Sequence, residues 1–251
     1  MVWKILFIIC AALELVFVPL FLKYSWPKKC WKSFGFKMVC SALFFAAGLC
    51  AVQAANNHTP YATMILWGLA LGWAGDLFLH LITEKIWVFG IGLFAFLGGH
   101  ICYIIAFWYA IRNTFPDQSM FTWYEILAVL AIVGLFAAYA IVKKIKAKVY
   151  MAIPVALYAI TISAMLVKAF RFCIGEIVWG MSDDIVMFFV TVALGAVLFV
   201  LSDATLGMIL FAGKDKNRPL KIFNIATYFA AQILLAASIF FIRTPVVTPI
   251  G

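Results

Sequence analysis

YATMILWGLALGWAGDLFLHLI, residues Tyr61 to Ile82, contains no Lys, Arg or Glu, and its only strongly ionisable side chains are Asp76 and His80. As an α-helix a stretch of this length is about 33 Å long, enough to cross a hydrocarbon layer roughly 30 Å thick. Lipid offers the backbone no hydrogen-bond partners, so an apolar run of this kind must be helical. Similar runs fill most of the chain. They predict spans at 5–22, 38–55, 61–82, 87–111, 121–142, 149–170, 185–212 and 221–242.

The composition agrees with that reading. Of the 251 residues 67% are hydrophobic and 12% charged, against roughly 45–50% and 25% in a soluble domain. The first run follows Lys4 closely, as in a signal peptide, but it is long and ends in a basic loop, so it is expected to be a retained helix. The expectation is an all-α membrane protein, a single bundle of about eight transmembrane helices over residues 1–251.

A net charge of +9 does not point to nucleic acid, because no clustered basic and aromatic face is present. It reports sidedness instead. Lys23, Lys28, Lys29 and Lys32, then Lys85, then Lys143, Lys144, Lys146 and Lys148, then Lys214, Lys216, Arg218 and Lys221 all fall on one side of an eight-helix serpentine. That is thirteen of the nineteen basic residues, against Lys4, Arg112, Lys168, Arg171 and Arg243 on the other side. By the positive-inside rule both termini are expected to be non-cytosolic. The cysteines Cys10, Cys30, Cys40, Cys50, Cys102 and Cys173 have neither C-x-x-C nor zinc spacing and read as small core residues.

A charged side chain at the bilayer centre costs roughly 2.5–3.5 kcal/mol on insertion scales, which makes each intramembrane ionisable group a functional candidate. Glu14 lies in the first span, Asp76 and His80 in the third, His100 in the fourth and Asp203, after Ser202, in the seventh. Lys37 stands at the edge of the second. Counting from the basic end at about 1.5 Å per residue places Asp76, Asp203, Glu14 and Tyr228 about 10–14 Å deep, with His100 and Gln232 about 16–20 Å deep. The pairs Asp76/His80 and Tyr228/Gln232 are each four residues apart, on one helix face. Structural readings stand beside these. Glu14 and Gln232 can serve as interhelical hydrogen-bond partners, Lys37 can snorkel to the headgroups, and His58 reads as an exposed loop residue. Trp26, Trp31, Trp87 and Trp123 read as interfacial anchors, and Gly68 with Gly72, or Gly98 with Gly99, as points of close helix approach.

Four segments together resemble the YhhN-like family of lysoplasmalogenases: Gly75-Asp76, Phe96-Leu97-Gly98-Gly99-His100-Ile101-Cys102-Tyr103, Ser202-Asp203, and Thr227-Tyr228-Phe229-Ala230-Ala231-Gln232. Lys37 and Tyr158 also resemble family positions. The resemblance implies hydrolysis of the vinyl ether bond of a lysoplasmalogen, a membrane lysophospholipid, to a fatty aldehyde and a glycerophospho-amine.

Such hydrolysis protonates a vinyl carbon, forms an oxocarbenium ion and adds water, so it needs an acid and a base. Two carboxylates in different environments supply both, as in glycoside hydrolysis. Asp76 and Asp203 are the candidates for these roles, with His80, His100, Tyr103, Ser202, Tyr228 and Gln232 as support. Lys37, Glu14 and Tyr158 are candidates for substrate contact, Lys37 through the lipid phosphate. The scheme calls for no cofactor and no metal, and places the site in the cytosolic half of the bilayer. Two other classes fit the same acids. One is a lysolipid or small-solute transporter or scramblase, in which they relay protons. The other is a zinc hydrolase liganded by His80, His100, Asp76 and Asp203, for which the ligand set is thin.

Overall fold

The computed structural model describes residues 1–26, 28–81, 85–114, 116–142, 149–179, 184–214 and 216–242. Lys143, Lys144, Lys146, Lys148 and Arg243, used above to assign sidedness, lie outside them. Among the described residues there are eight spans long and apolar enough to cross a membrane, and no strand. They comprise α1 (Val2–Tyr24), α2 (Trp31–Ala55), α3 (Pro60–His80), α4 (Ile86–Thr114), α5 (Trp123–Val142) and α6 (Val149–Trp179). The seventh is α7 (Ile185–Phe189), a π turn (Val190–Leu194) and α8 (Gly195–Phe211); the last is α9 (Arg218–Ala237) with a 3₁₀ turn to Phe240.

Two boundaries differ most from the sequence expectation, and both move charged residues into helices. The second helix begins at Trp31 rather than 38, because Cys30 and Ser33 cap each other: Ser33 N–H donates to Cys30 Sγ and Cys30 N–H to Ser33 Oγ. Such a reciprocal cap satisfies amides that helix formation leaves open, so the polar turn before Lys37 is helical and Lys37 lies inside α2. The sixth helix runs on to Trp179 rather than ending at 170, which carries Arg171 within it.

Three ties close the bundle at the far end of α2. Asn56 ends that helix in the left-handed conformation, φ 48°, which asparagine tolerates. Buried Asn57 then donates from Nδ2 to the carbonyls of Ile239 and Ile242. Tyr61 and Ser238 share a hydrogen bond at 2.6 Å. The first and last thirds of the chain thereby meet, and α3 lies between α2, α4 and α9. Close approach there depends on glycine: the Tyr103 ring lies directly over Gly68, and a methyl group at Gly72 would stand 2.5 Å from Gln232 Nε2. At the periphery, α5 leans on α6 and exposes most of its surface.

Candidate functional site

Asp76, one turn from the end of α3, is 1% exposed. Lys37 Nζ stands 2.8 Å from its Oδ1, while Ser41 Oγ donates to Oδ2 at 2.6 Å and the Tyr228 hydroxyl donates to the same oxygen at 2.8 Å. The local reason is periodicity: Lys37 and Ser41 are four residues apart on α2, and Tyr228 and Gln232 four apart on α9, so each helix presents two polar groups on one face. Gln232 Nε2 donates to the Tyr228 oxygen at 3.1 Å, and Tyr103 of α4 donates to Gln232 Oε1 at 2.7 Å. A continuous relay therefore runs from Asp76 through Tyr228 and Gln232 to Tyr103, across three helices. One cation and two hydroxyl donors surround the Asp76 carboxyl, the environment of an ionised carboxylate.

Asp203 of α8 is built differently. Tyr158 of α6 donates to its Oδ2 at 2.6 Å, and His100 Nε2 of α4 stands 3.1 Å from the same oxygen. His100 is fully buried, with Nδ1 3.3 Å from Met165 Sδ. A contact of that length between an imidazole nitrogen and a carboxyl oxygen requires a proton on one of them. His100 Nε2 also stands 3.0 Å from the Tyr158 hydroxyl, so Asp203, His100 and Tyr158 form one hydrogen-bonded triangle, whereas Asp76 is matched by Lys37.

No hydrogen bond joins the two acids; an aromatic layer connects their surroundings. The Phe199 ring centroid is 4.7 Å from that of His100, 5.6 Å from Tyr228 and 6.1 Å from Tyr103. Tyr103, at the end of the Asp76 relay, has its ring 6.5 Å from that of His100. Asp76, Tyr228, Gln232, Tyr103, His100, Tyr158 and Asp203 thus form one assembly with two ends.

Other expected members stand elsewhere. His80 shares a face with Asp76 but is not hydrogen-bonded to it; its Nε2 meets Ser33 Oγ at 3.1 Å and its ring packs edge-on to Phe21. Ser202 turns to α9, where Asn224 Nδ2 donates to its carbonyl at 2.7 Å. Glu14 is buried, its Oε1 has no hydrogen-bond partner, and it lies within electrostatic reach of Asp76 and Cys40. His58 is exposed as expected. His80 and His100 belong to different clusters, and among the described residues no three His, Cys, Asp or Glu side chains converge as a metal site would require.

Sequence reasoning missed Ser41, although its place one turn beyond Lys37 marks it. It also missed a second buried ion pair. Lys168, 2% exposed, bonds Glu125 Oε1 at 2.7 Å and the Met120 carbonyl at 2.6 Å, while Thr122 donates from N and Oγ1 to Glu125 Oε2. Thr122-Trp123-Tyr124-Glu125 has the S/T-x-x-E spacing of a helix start, which was the available signal.

These observations define a polytopic helical membrane protein with a buried acid held by a lysine and a partly buried one held by a histidine. Residues 32–239 match the YhhN family, and the chain belongs to it. No curated protein and no solved structure matches the chain.

Proposed function

We propose that the protein is an intramembrane hydrolase that cleaves the vinyl ether bond of a lysoplasmalogen. The observation that carries this reading is the unequal provision for the two acids: Asp76 receives a lysine and two hydroxyl donors, and Asp203 a tyrosine hydroxyl and a histidine. Pairs of titratable groups in opposed environments are how one site runs acid and base chemistry together.

In this reading the Asp203–His100 dyad gives its proton to the vinyl carbon beyond the ether-bearing one, and the C=C electron pair forms the new C–H bond. The oxocarbenium ion that results is stabilised by the Asp76 carboxylate. Water, losing a proton to Asp76, adds to the cationic carbon; Asp76 then gives that proton to the departing glycerol oxygen as its bond to the hemiacetal carbon breaks, and the hemiacetal hydroxyl proton returns to the Asp203–His100 pair as the C=O forms. One water is consumed, and a fatty aldehyde and a glycerophospho-amine leave. Tyr228 and Gln232 orient Asp76 and the water. Lysophospholipid is the substrate, and the basic end of the bundle, where Lys37 lies, faces the cytosol with both termini on the opposite side.

The test is mass spectrometry of products after the purified protein meets a lysolipid panel in detergent. Aldehyde and glycerophospho-amine from the alkenyl lysolipid alone support the reading. Lysolipid flux in proteoliposomes without cleavage overturns it in favour of transport.

A further inference from the structure

Lys37 is committed to Asp76 at 2.8 Å, so in the proposed hydrolase the lipid phosphate must find its counter-charge elsewhere. Three observations locate it one turn from Asp76, at the end of α3. Lys29, in the turn between α1 and α2, reaches across to the Leu79 carbonyl at 2.6 Å. Lys221, in the first turns of α9, lies over the Trp26 ring at 5.1 Å, next to the same turn. His80 stands at that end, bonded to Ser33 and within the field of Lys29, Lys37 and Lys221.

Among the described residues neither Lys29 nor Lys221 forms an ion pair with a carboxylate. Lys221 also sits at the positive end of the α9 macrodipole, where a cation is disfavoured and an anion welcome. Positive groups crowded without a counter-ion form an incomplete electrostatic arrangement. An arriving anion completes it.

We propose that Lys29 and Lys221, beside His80, bind a phosphate diester, the headgroup phosphate of the lysolipid. This rests on the hydrolase reading above and replaces Lys37 as the expected phosphate contact. The dimensions agree. In a glycerophospholipid five bonds separate the ether oxygen from phosphorus, about the length of one helical turn, and Asp76 to His80 is one turn of α3. A phosphate at His80 therefore lets the ether oxygen reach Asp76. The mutual effect of the lysines is visible at Lys29: partial burial, then the ammonium groups of Lys37 and Lys221, push its pKa down to about 8.

The test uses the full-length protein in detergent with two substrates, an alkenyl lysophosphatidylethanolamine and the phosphate-free 1-alkenylglycerol. Lys29→Met and Lys221→Met should each raise KM for the phospholipid about tenfold, leave kcat within about twofold, and leave the alkenylglycerol unaffected. Equal changes for both substrates, or none for either, would overturn the site.

Binding is measured separately by calorimetry with glycerophosphoethanolamine and with inorganic phosphate. The wild type should bind the former, and both variants should lose it. Displacement by inorganic phosphate at equal affinity assigns the site to free phosphate rather than the headgroup and overturns the lipid assignment. No binding by the wild type sinks the site even if the enzyme is active. Binding without aldehyde release sinks the hydrolase reading and leaves the phosphate site standing as a binding site alone. Unchanged unfolding midpoints establish that the variants are folded.

Discussion

The Tyr228 hydroxyl and Asp76 Oδ2 stand 2.8 Å apart across the interface of α9 and α3, and through Gln232 the same hydroxyl is tied to Tyr103 of α4. One phenol therefore fixes both the direction of a buried carboxylate and the register of three helices. Tyr228→Phe keeps the ring against Phe44, Phe96 and Phe199 and removes only the oxygen. We expect kcat for aldehyde release to fall at least tenfold, with the unfolding free energy falling by only about 1.5–3 kcal/mol, the range for a hydrogen bond to a charged group. Wild-type turnover would remove Tyr228 from the mechanism.

Asp76→Asn and Asp203→Asn are near-isosteric. Because general acid–base groups contribute typically 10²–10⁴-fold, each should lower the rate by about that factor, and the double variant should fall little further. Single variants that keep more than about a tenth of wild-type turnover would exclude the acid–base pair.

Glu125 and Lys168 sit apart from both acids and test the opposite outcome, stability without catalysis. Removing one partner of a buried ion pair costs roughly 3–5 kcal/mol because the other charge is stranded. Lys168→Met should therefore lower the unfolding midpoint sharply, and Glu125→Gln combined with Lys168→Met should recover part of the loss. Aldehyde release per folded molecule should be unchanged throughout. A midpoint insensitive to Lys168→Met would mean that the pair does not anchor α5.

Gly72→Ala places a methyl group against Gln232 Nε2 and should loosen the relay to Tyr228, lowering kcat about tenfold with little change in KM. Gly134→Ala, whose added carbon meets open space, serves as the control and should stabilise α5 by up to about 1 kcal/mol through helix propensity. Equal behaviour of the two variants would contradict the packing argument.

The pH dependence of stability has a definite sign at the basic end. Lys29 titrates at about 8 in the folded protein, below the ordinary lysine value of 10.5, through partial burial and the nearby Lys37 and Lys221. Between these two values the unfolded chain binds more protons than the folded one, so Lys29 makes stability rise with pH across that interval. Below pH 8 its destabilising contribution is fully present. Unfolding midpoints from pH 7.5 to 10.5 should climb less steeply in Lys29→Met than in the wild type; parallel curves would contradict the assignment.

The spans were legible in sequence because lipid leaves an apolar chain one solution, and eight runs of sufficient length could not be hidden. Asp76, Asp203, His100, Tyr228 and Gln232 were legible too, since each is polar where polarity is costly, whereas Tyr103 and Tyr158 came in only through the family resemblance. Their partnership was not. Asp76 and His80 share a face, yet His80 belongs to Ser33, because helical spacing gives direction and not the identity of what waits across the interface. Lys37 seemed a boundary residue because hydropathy marks where a span becomes apolar, whereas the Cys30–Ser33 cap determines where the helix begins. Lys168, near the end of the predicted sixth span, was counted only with the charges of the less basic side, since a lysine neutralised by Glu125 leaves no trace in a hydropathy window.

The π turn at Val190–Leu194 gives the seventh span a tolerance that the others lack. Elsewhere in a spanning helix, deleting one residue rotates everything downstream by about 100°, and a catalytic side chain would swing toward the acyl chains. A π turn accommodates one residue more than an α turn, so losing a residue here would restore regular winding and leave Phe199 and Asp203 on their present faces. The span can change length without misaiming its acid.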